Sequence, residues 1–139
     1  MSDAESFRRI PLEIFNQGRL ELIDELFAAD YVENVQPPFP IPEGREGVRT
    51  FIAALREAFP DLRYEVVQQY QDGDVHIGYV RVSGTMRGDF VGMPASGRSA
   101  TWDEIHIGRY RDGQLAEHWA VQDQLGMLQQ LGFAPPPGA

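Results

Sequence analysis

The chain of 139 residues contains no cysteine, which removes disulfides and thiolate metal sites together. It also lacks any apolar run near the ~18 residues that a membrane span requires. The opening MSDAESFRRI shows no basic stretch followed by an apolar one, so a cytoplasmic rather than a secreted chain is expected. Basic residues are outnumbered, 12 Lys and Arg against 21 Asp and Glu, for a formal net charge of −9. A chain this acidic, with no basic stripe, repels phosphate backbones and argues against nucleic acid as a partner. Histidine is sparse: His76, His106 and His118 form no HxH or HxxxH pair, so no metal site is expected. There is no GxGxxG, no heptad pattern and no internal repeat.

What remains is an ordinary globular composition, 42% hydrophobic and 24% charged, in a length that suits one domain. Residues 1–133 read as that domain and 134–139, with three consecutive prolines, as a flexible tail. The first sixty residues read as helices. Phe7, Ile10 and Ile14 fall at helical spacing, with Pro11 marking a start or a kink. Leu22, Ile23, Leu26 and Phe27 share the face of a second segment that stops near Asp30. Pro37, Pro38, Pro40 and Pro42 break regular structure and make a connector or a lid. Val48, Phe51, Ile52, Leu55 and Phe59 define a third helix, ended by Pro60. Strands follow at 62–71, 75–85, 99–111 and 115–123, with turns at 72–74 and 112–113. A short helix over 124–131 completes the pattern. Helices first and an antiparallel meander second predict an α+β fold. The sheet curls, the helices cover its concave face, and a pocket forms at the mouth.

The last hairpin decides which residues face that pocket. A two-residue turn pairs Tyr110 with Leu115 and sets Ile107 opposite His118. A three-residue loop with Gly113 as an αL bulge pairs Arg109 with Leu115, Ile107 with Glu117 and Ile105 with Trp119. The second option gathers more apolar residues on one face and is preferred. Residues 115, 117, 119, 121 and 123 then point inward, with Arg109 and Asp103 on the same side and His106, Ala116, His118 and Ala120 outward. Asp123 would be a carboxylate on an apolar face, where burial raises its affinity for a proton and suits it to acid/base work. The competing reading makes Asp123 the N-cap of the final helix.

Several stretches taken together, FPDL at 59–62, GDV at 73–75, GDFVGMP at 88–94, and RYRDGQLAEHW at 109–119 leading to Asp123 and Leu131-Gly132, resemble the SnoaL-like polyketide cyclases of the nuclear-transport-factor/ketosteroid-isomerase-like superfamily. The resemblance implies an α+β cone and a cofactor-independent cyclase of antibiotic biosynthesis, closing a ring by an intramolecular aldol step. It implies Asp123 as the catalytic acid/base, with Arg109 as its polar partner. Relatives carry His at the positions of Arg109, Asn34 and Met86; an arginine cannot shuttle protons and would stabilise an enolate oxygen instead. The same pocket would also suit a hydratase, dehydratase or isomerase, or a protein that only binds small molecules.

The candidate substrate-binding set is Trp119, Arg81, Asn34, Phe51, Phe59, Tyr31, Trp102 and Met86. Arg81 is either a buried anchor paired with Asp123 or Asp103, or a surface residue. Trp102, Trp119, Phe51 and Phe59 are core or pocket wall. His106 and His118 are expected to meet solvent or another subunit. The expected ligand is apolar, aromatic or polyketide-like, and the expected assembly is a homodimer or a tetramer built from it.

Overall fold

The computed structural model describes residues 2–138; Ala139, the last residue of the expected tail, lies outside them. The first helix, α1 (Asp3–Arg9), is N-capped by the Ser2 hydroxyl, which accepts from Glu5 N–H at 3.1 Å. It does not stop at Pro11. The missing proline N–H is absorbed by a wider turn over Ile10–Phe15, in which Asn16 N–H reaches back five residues to Pro11 C=O at 3.1 Å. Gly18 then turns the chain with φ +72°, and the Arg56 guanidinium packs against its bare Cα. Arg56 donates to the carbonyls of Phe15 and Asn16 at 2.6 and 2.9 Å, which satisfies that helical end.

A 3₁₀ turn at Leu20–Leu22 leads into one helical turn, α2 (Ile23–Leu26). The expected continuation of this helix to Asp30 is corrected by the structure. From Phe27 the chain is extended and forms β1 (Phe27–Glu33), which pairs in parallel with the last strand. The apolar spacing at 22, 23, 26 and 27 imitates a helix. The pairing that overrides it is long-range and leaves no local trace.

The remaining elements are α3 (Gly44–Ala58), β2 (Arg63–Asp72), β3 (Val75–Thr85), β4 (Ser99–Arg111), β5 (Gln114–Gln122) and α4 (Gln124–Leu131). The five strands are ordered β1-β5-β4-β3-β2, antiparallel except for β1. The sheet is not closed, and the helices pack on its concave face. The 37–42 segment is held against α3 at Gly47, where a Cβ would come within 2.1 Å of the Pro42 carbonyl. Two buried clusters result. One joins Phe7, Ile14, Ile23 and Ile52 to Tyr110 and Leu115; the other joins Leu55, Phe59 and Leu131 to Val82 and Trp102. Phe15 and Phe51 pack against both.

The β4–β5 hairpin follows neither expected register. Asp112 and Gly113 both have positive φ, 52° and 78°, the signature of a two-residue I′ turn. Accordingly Arg111 pairs with Gln114 and Tyr110 with Leu115. The register then shifts by one residue at Ala116, so that Arg109 meets Glu117, Ile107 meets Trp119 and Ile105 meets Val121. This bulge reverses the parity of everything after it. The expected inward orientation of Trp119, Val121 and Asp123 is therefore corrected. His118, Ala120 and Gln122 face the concave side instead.

Candidate active site

The concave side of the sheet and the helices enclose a cavity of about 600 Å³. Its walls are mostly apolar, with Phe7, Ile10, Phe27, Phe51, Leu55 and Phe90 among the lining side chains. Pro37, Pro38, Ile41 and Pro42 form part of its rim, and Phe39 packs on both Phe51 and Phe90 with ring centroids 6.3 and 6.1 Å apart.

One wall is polar. It is built where the even-numbered residues of β4 meet the residues of β5 beyond the bulge. His106 Nε2 lies 2.7 Å from Glu104 Oε1. His106 Nδ1 lies 2.8 Å from His118 Nε2, and the two rings are nearly parallel. His118 Nδ1 lies 2.7 Å from Glu33 Oε2 at the end of β1. The chain continues at both ends. Tyr31 donates its hydroxyl to Glu33 Oε1 at 2.8 Å, and Trp102 Nε1–H donates to Glu104 Oε2 at 2.7 Å. The buried Tyr64 phenol lies within reach of the Glu104 charge. Glu33, Glu104, His106 and His118 all line the cavity.

The two ends of this chain differ in burial. The side chain of Glu104 is 3% exposed and that of Glu33 is 33% exposed. Burial alone would raise the Glu33 carboxyl. The bond and charge of His118, with the Tyr31 hydroxyl and Val35 N–H, outweigh this and hold it below its ordinary value. The phenols respond the other way: burial and the charge of Glu33 push Tyr31 up, and burial and Glu104 push Tyr64 up. Both phenols are therefore fixed as donors. Among the described residues no three His, Cys, Asp or Glu groups converge as metal ligands; the four acid and imidazole groups lie in a line.

The residues expected from the sequence divide into four groups. Tyr31, Phe51 and Trp102 line the cavity. Phe59 and Met86 are buried behind its wall, Phe59 packing on Phe90 and Trp102. Arg81, Arg109 and Trp119 lie on the outer face. There Arg81 Nε donates to Asp103 Oδ1 at 3.0 Å, Tyr79 donates to the other oxygen, and the Arg109 guanidinium stacks 5.4 Å above Trp119. Asn34 is exposed and ties β1 to β5 through Glu117 and the His118 carbonyl. Asp123 is exposed at the end of β5, where it N-caps α4 by accepting Gly126 N–H at 2.9 Å. The expectation that His106 and His118 face outward is corrected: both face the cavity. The sequence signal for them was Glu104-x-His106 within an otherwise apolar inward set, Ala100, Trp102 and Tyr110. It points to a buried ion-pairing stretch only once the even-numbered residues of β4 are placed inward.

A curled five-stranded sheet holding one large apolar cavity with a polar wall defines an α+β cone that takes a small molecule. The chain belongs to the SnoaL-like polyketide cyclase family, whose model matches residues 5–131. It is 29% identical to the nogalonic acid methyl ester cyclase of Streptomyces nogalater, over 85% of this chain and 89% of that one. It is 28% identical to the aklanonic acid methyl ester cyclase DnrD of Streptomyces peucetius, over 95% and 92%. Among solved structures, wild-type IdmH of Streptomyces antibioticus superimposes with a TM-score of 0.81 at 31% identity, covering 95% of this chain and 99% of that one. TsrD of Streptomyces laurentii superimposes with a TM-score of 0.85 at 28% identity, covering 96% and 100%. The protein is an enzyme of the cyclase type.

Proposed function

We propose that this enzyme closes a ring in a neutral, largely apolar polyketide ester by an intramolecular aldol reaction, with the chain from Glu33 through His118 and His106 to Glu104 as its acid/base unit. The observation that carries this reading is the continuous carboxylate–imidazole–imidazole–carboxylate contact along one wall of an apolar cavity. Each ring nitrogen is already engaged, so the substrate's α-proton goes to a carboxylate oxygen with a free lone pair. Glu33 Oε1 and Glu104 Oε1 each hold one bond, to Tyr31 and to His106 respectively. The C–H bond breaks, the enolate carbon bonds to the acceptor carbonyl carbon, and the resulting alkoxide takes a proton from the same unit. Atoms and electrons balance within the substrate, because the product is its isomer. The test is incubation with nogalonic acid methyl ester and with aklanonic acid methyl ester, followed by chromatography and absorbance. Conversion that survives His106→Gln and His118→Gln within threefold would overturn the assignment; a loss of about 10²- to 10⁴-fold is expected.

Asp123 supports a second reading of the same reaction. Its neighbours Gln122 and Gln124 both line the cavity, so release of its helix cap would bring its carboxylate to the mouth. Asp123→Asn separates the two: full turnover with intact folding removes Asp123, and collapse of turnover with both histidines present favours it. The expected homodimer is proposed through the outer sheet face. Ile105, Ile107 and Trp119 are only partly buried there, and Val121 is 70% exposed. A monomer by sedimentation at micromolar concentration would exclude it.

A further inference from the structure

We infer that His106 and His118 share one proton beyond the two that neutral imidazoles hold, so that a single positive charge can occupy either ring, and that Glu33 and Glu104 set the balance between them. The three links Glu33–His118, His118–His106 and His106–Glu104 measure 2.7, 2.8 and 2.7 Å. At these distances each link contains one hydrogen, because two facing lone pairs repel. The links engage all four ring nitrogens, so the unit holds three hydrogens. Two neutral rings account for two of them.

The third belongs to a ring because donors surround both carboxylates. Glu104 accepts Trp102 Nε1–H on its other oxygen, beside the buried Tyr64 phenol. Glu33 accepts the Tyr31 hydroxyl and Val35 N–H. A carboxylate that accepts several hydrogen bonds keeps its charge. The other charged groups lining the cavity are Arg8 and Glu43. The unit then carries two negative charges and one positive, and the positive one moves between rings by a proton shift of less than an ångström.

Its catalytic meaning rests on the aldol reading above. Negative charge develops first on the enolate oxygen and then on the acceptor oxygen. A cation that changes ring without moving any side chain can follow that charge, with no reorganisation of the site.

The experiment is nitrogen NMR of the imidazole rings in the full chain, with ¹⁵N-histidine, at neutral pH and without ligand. In the wild type, His106 Nδ1 and His118 Nε2 are expected to show averaged shifts that sum to one shared proton. Glu33→Gln is expected to move the proton onto His106 Nδ1, and Glu104→Gln onto His118 Nε2. Asp103→Asn, on the outer face, should move neither. Two unprotonated nitrogens in this link, or variants that shift both rings in the same direction, overturn the inference. If Glu104→Gln fails to fold, Glu33→Gln alone still decides the sign. The same two variants are expected to lower kcat at least 10-fold with KM within threefold for the two methyl esters. Opposite NMR shifts without any turnover would retain the shared proton and reject the cyclase reading instead.

Discussion

The two faces of the sheet carry the same kinds of side chain in similar groupings. On the outer face Tyr79, Arg81 and Asp103 form a hydrogen-bonded cluster, and Arg109 spans Trp119 and Glu117. On the inner face Tyr31, Glu33, His118, His106, Glu104 and Trp102 form another. What separates them is water. The side chains of Arg81 and Asp103 are 46% and 43% exposed, against 3% for Glu104. Solvent screens the outer pairs and leaves each group free to find another partner. On the inner face a broken link has no replacement, so proton positions are dictated by neighbours. Chemistry follows burial here, and the bulge at Ala116 decides which groups of β5 are buried.

Exchanging the side chains at 118 and 119, by His118→Trp with Trp119→His, breaks this comparison most completely. Removing Ala116 would not, because Glu117 and His118 then follow Leu115 in a regular ladder and keep their faces. The exchange sends the imidazole to the outer face and an indole into the cavity, and the contact with His106 is lost. Turnover of either methyl ester is expected to fall by at least about 100-fold, and NMR contacts between the two imidazole rings should disappear. Retained ring-to-ring contacts would show that the bulge follows the burial pattern and does not cause it.

Legibility in the sequence divided along the same line. Strands β2 to β4 were readable to within a residue at either end, and helix α3 at its C-terminal end, because Val48-Phe51-Ile52-Leu55 and the β-rich runs are locally consistent. The place of the turn at Asp112-Gly113 was readable too, although the three-residue form preferred for it gives way to a two-residue turn. The bulge three residues later was not, because no local preference places an extra residue at Ala116. That position depends on which side chains the cavity accepts. Apolar wall residues such as Phe51 and Trp102 survive a parity error, since both readings bury them. His106 and His118 do not survive it, and they were sent to the wrong face. Strand β1 was hidden for a related reason: its partner, β5, lies more than eighty residues away.

Removing one carboxylate from each face sharpens the contrast. Glu104→Ala strands Trp102 Nε1–H and His106 in a dry wall and is expected to cost about 3 kcal/mol. Asp103→Ala releases Tyr79 and Arg81 to solvent and is expected to cost less than about 1 kcal/mol. Urea denaturation of both at neutral pH is the measurement. Equal losses would mean that burial is not what distinguishes the faces.

Acid titration gives a smaller effect at the mouth of the cavity. His118 and Tyr31 hold the Glu33 carboxyl below its ordinary value of 4.5 despite its burial. A lowered carboxyl stabilises the fold above that value, and the contribution disappears as pH falls through its folded value. Glu33→Gln should therefore flatten the stability curve below about pH 4.5 relative to wild type. An unchanged acid slope would show that the His118 link does not persist in solution.

The smallest effect concerns His76, which is inward-facing like the relay histidines but unlike them has no polar contact. It is fully buried between Phe7 and Tyr110, with ring centroids 5.9 and 5.3 Å away, and no hydrogen bond reaches either nitrogen among the described residues. Burial lowers its proton affinity below the ordinary 6.5, against the opposing pull of Asp3 and Asp74. The unfolded chain therefore binds a proton that the folded chain refuses, so stability falls as pH drops below about 6.5. His76→Leu, of similar volume, removes both the unpaired nitrogens and the titration. It is expected to raise stability by about 1 kcal/mol at neutral pH, and by more at pH 5. Thermal unfolding across pH 5 to 8 measures the difference. A variant no more stable than wild type at pH 5 would mean that His76 has a polar partner in solution, and that the inner face tolerates no unpaired imidazole at all.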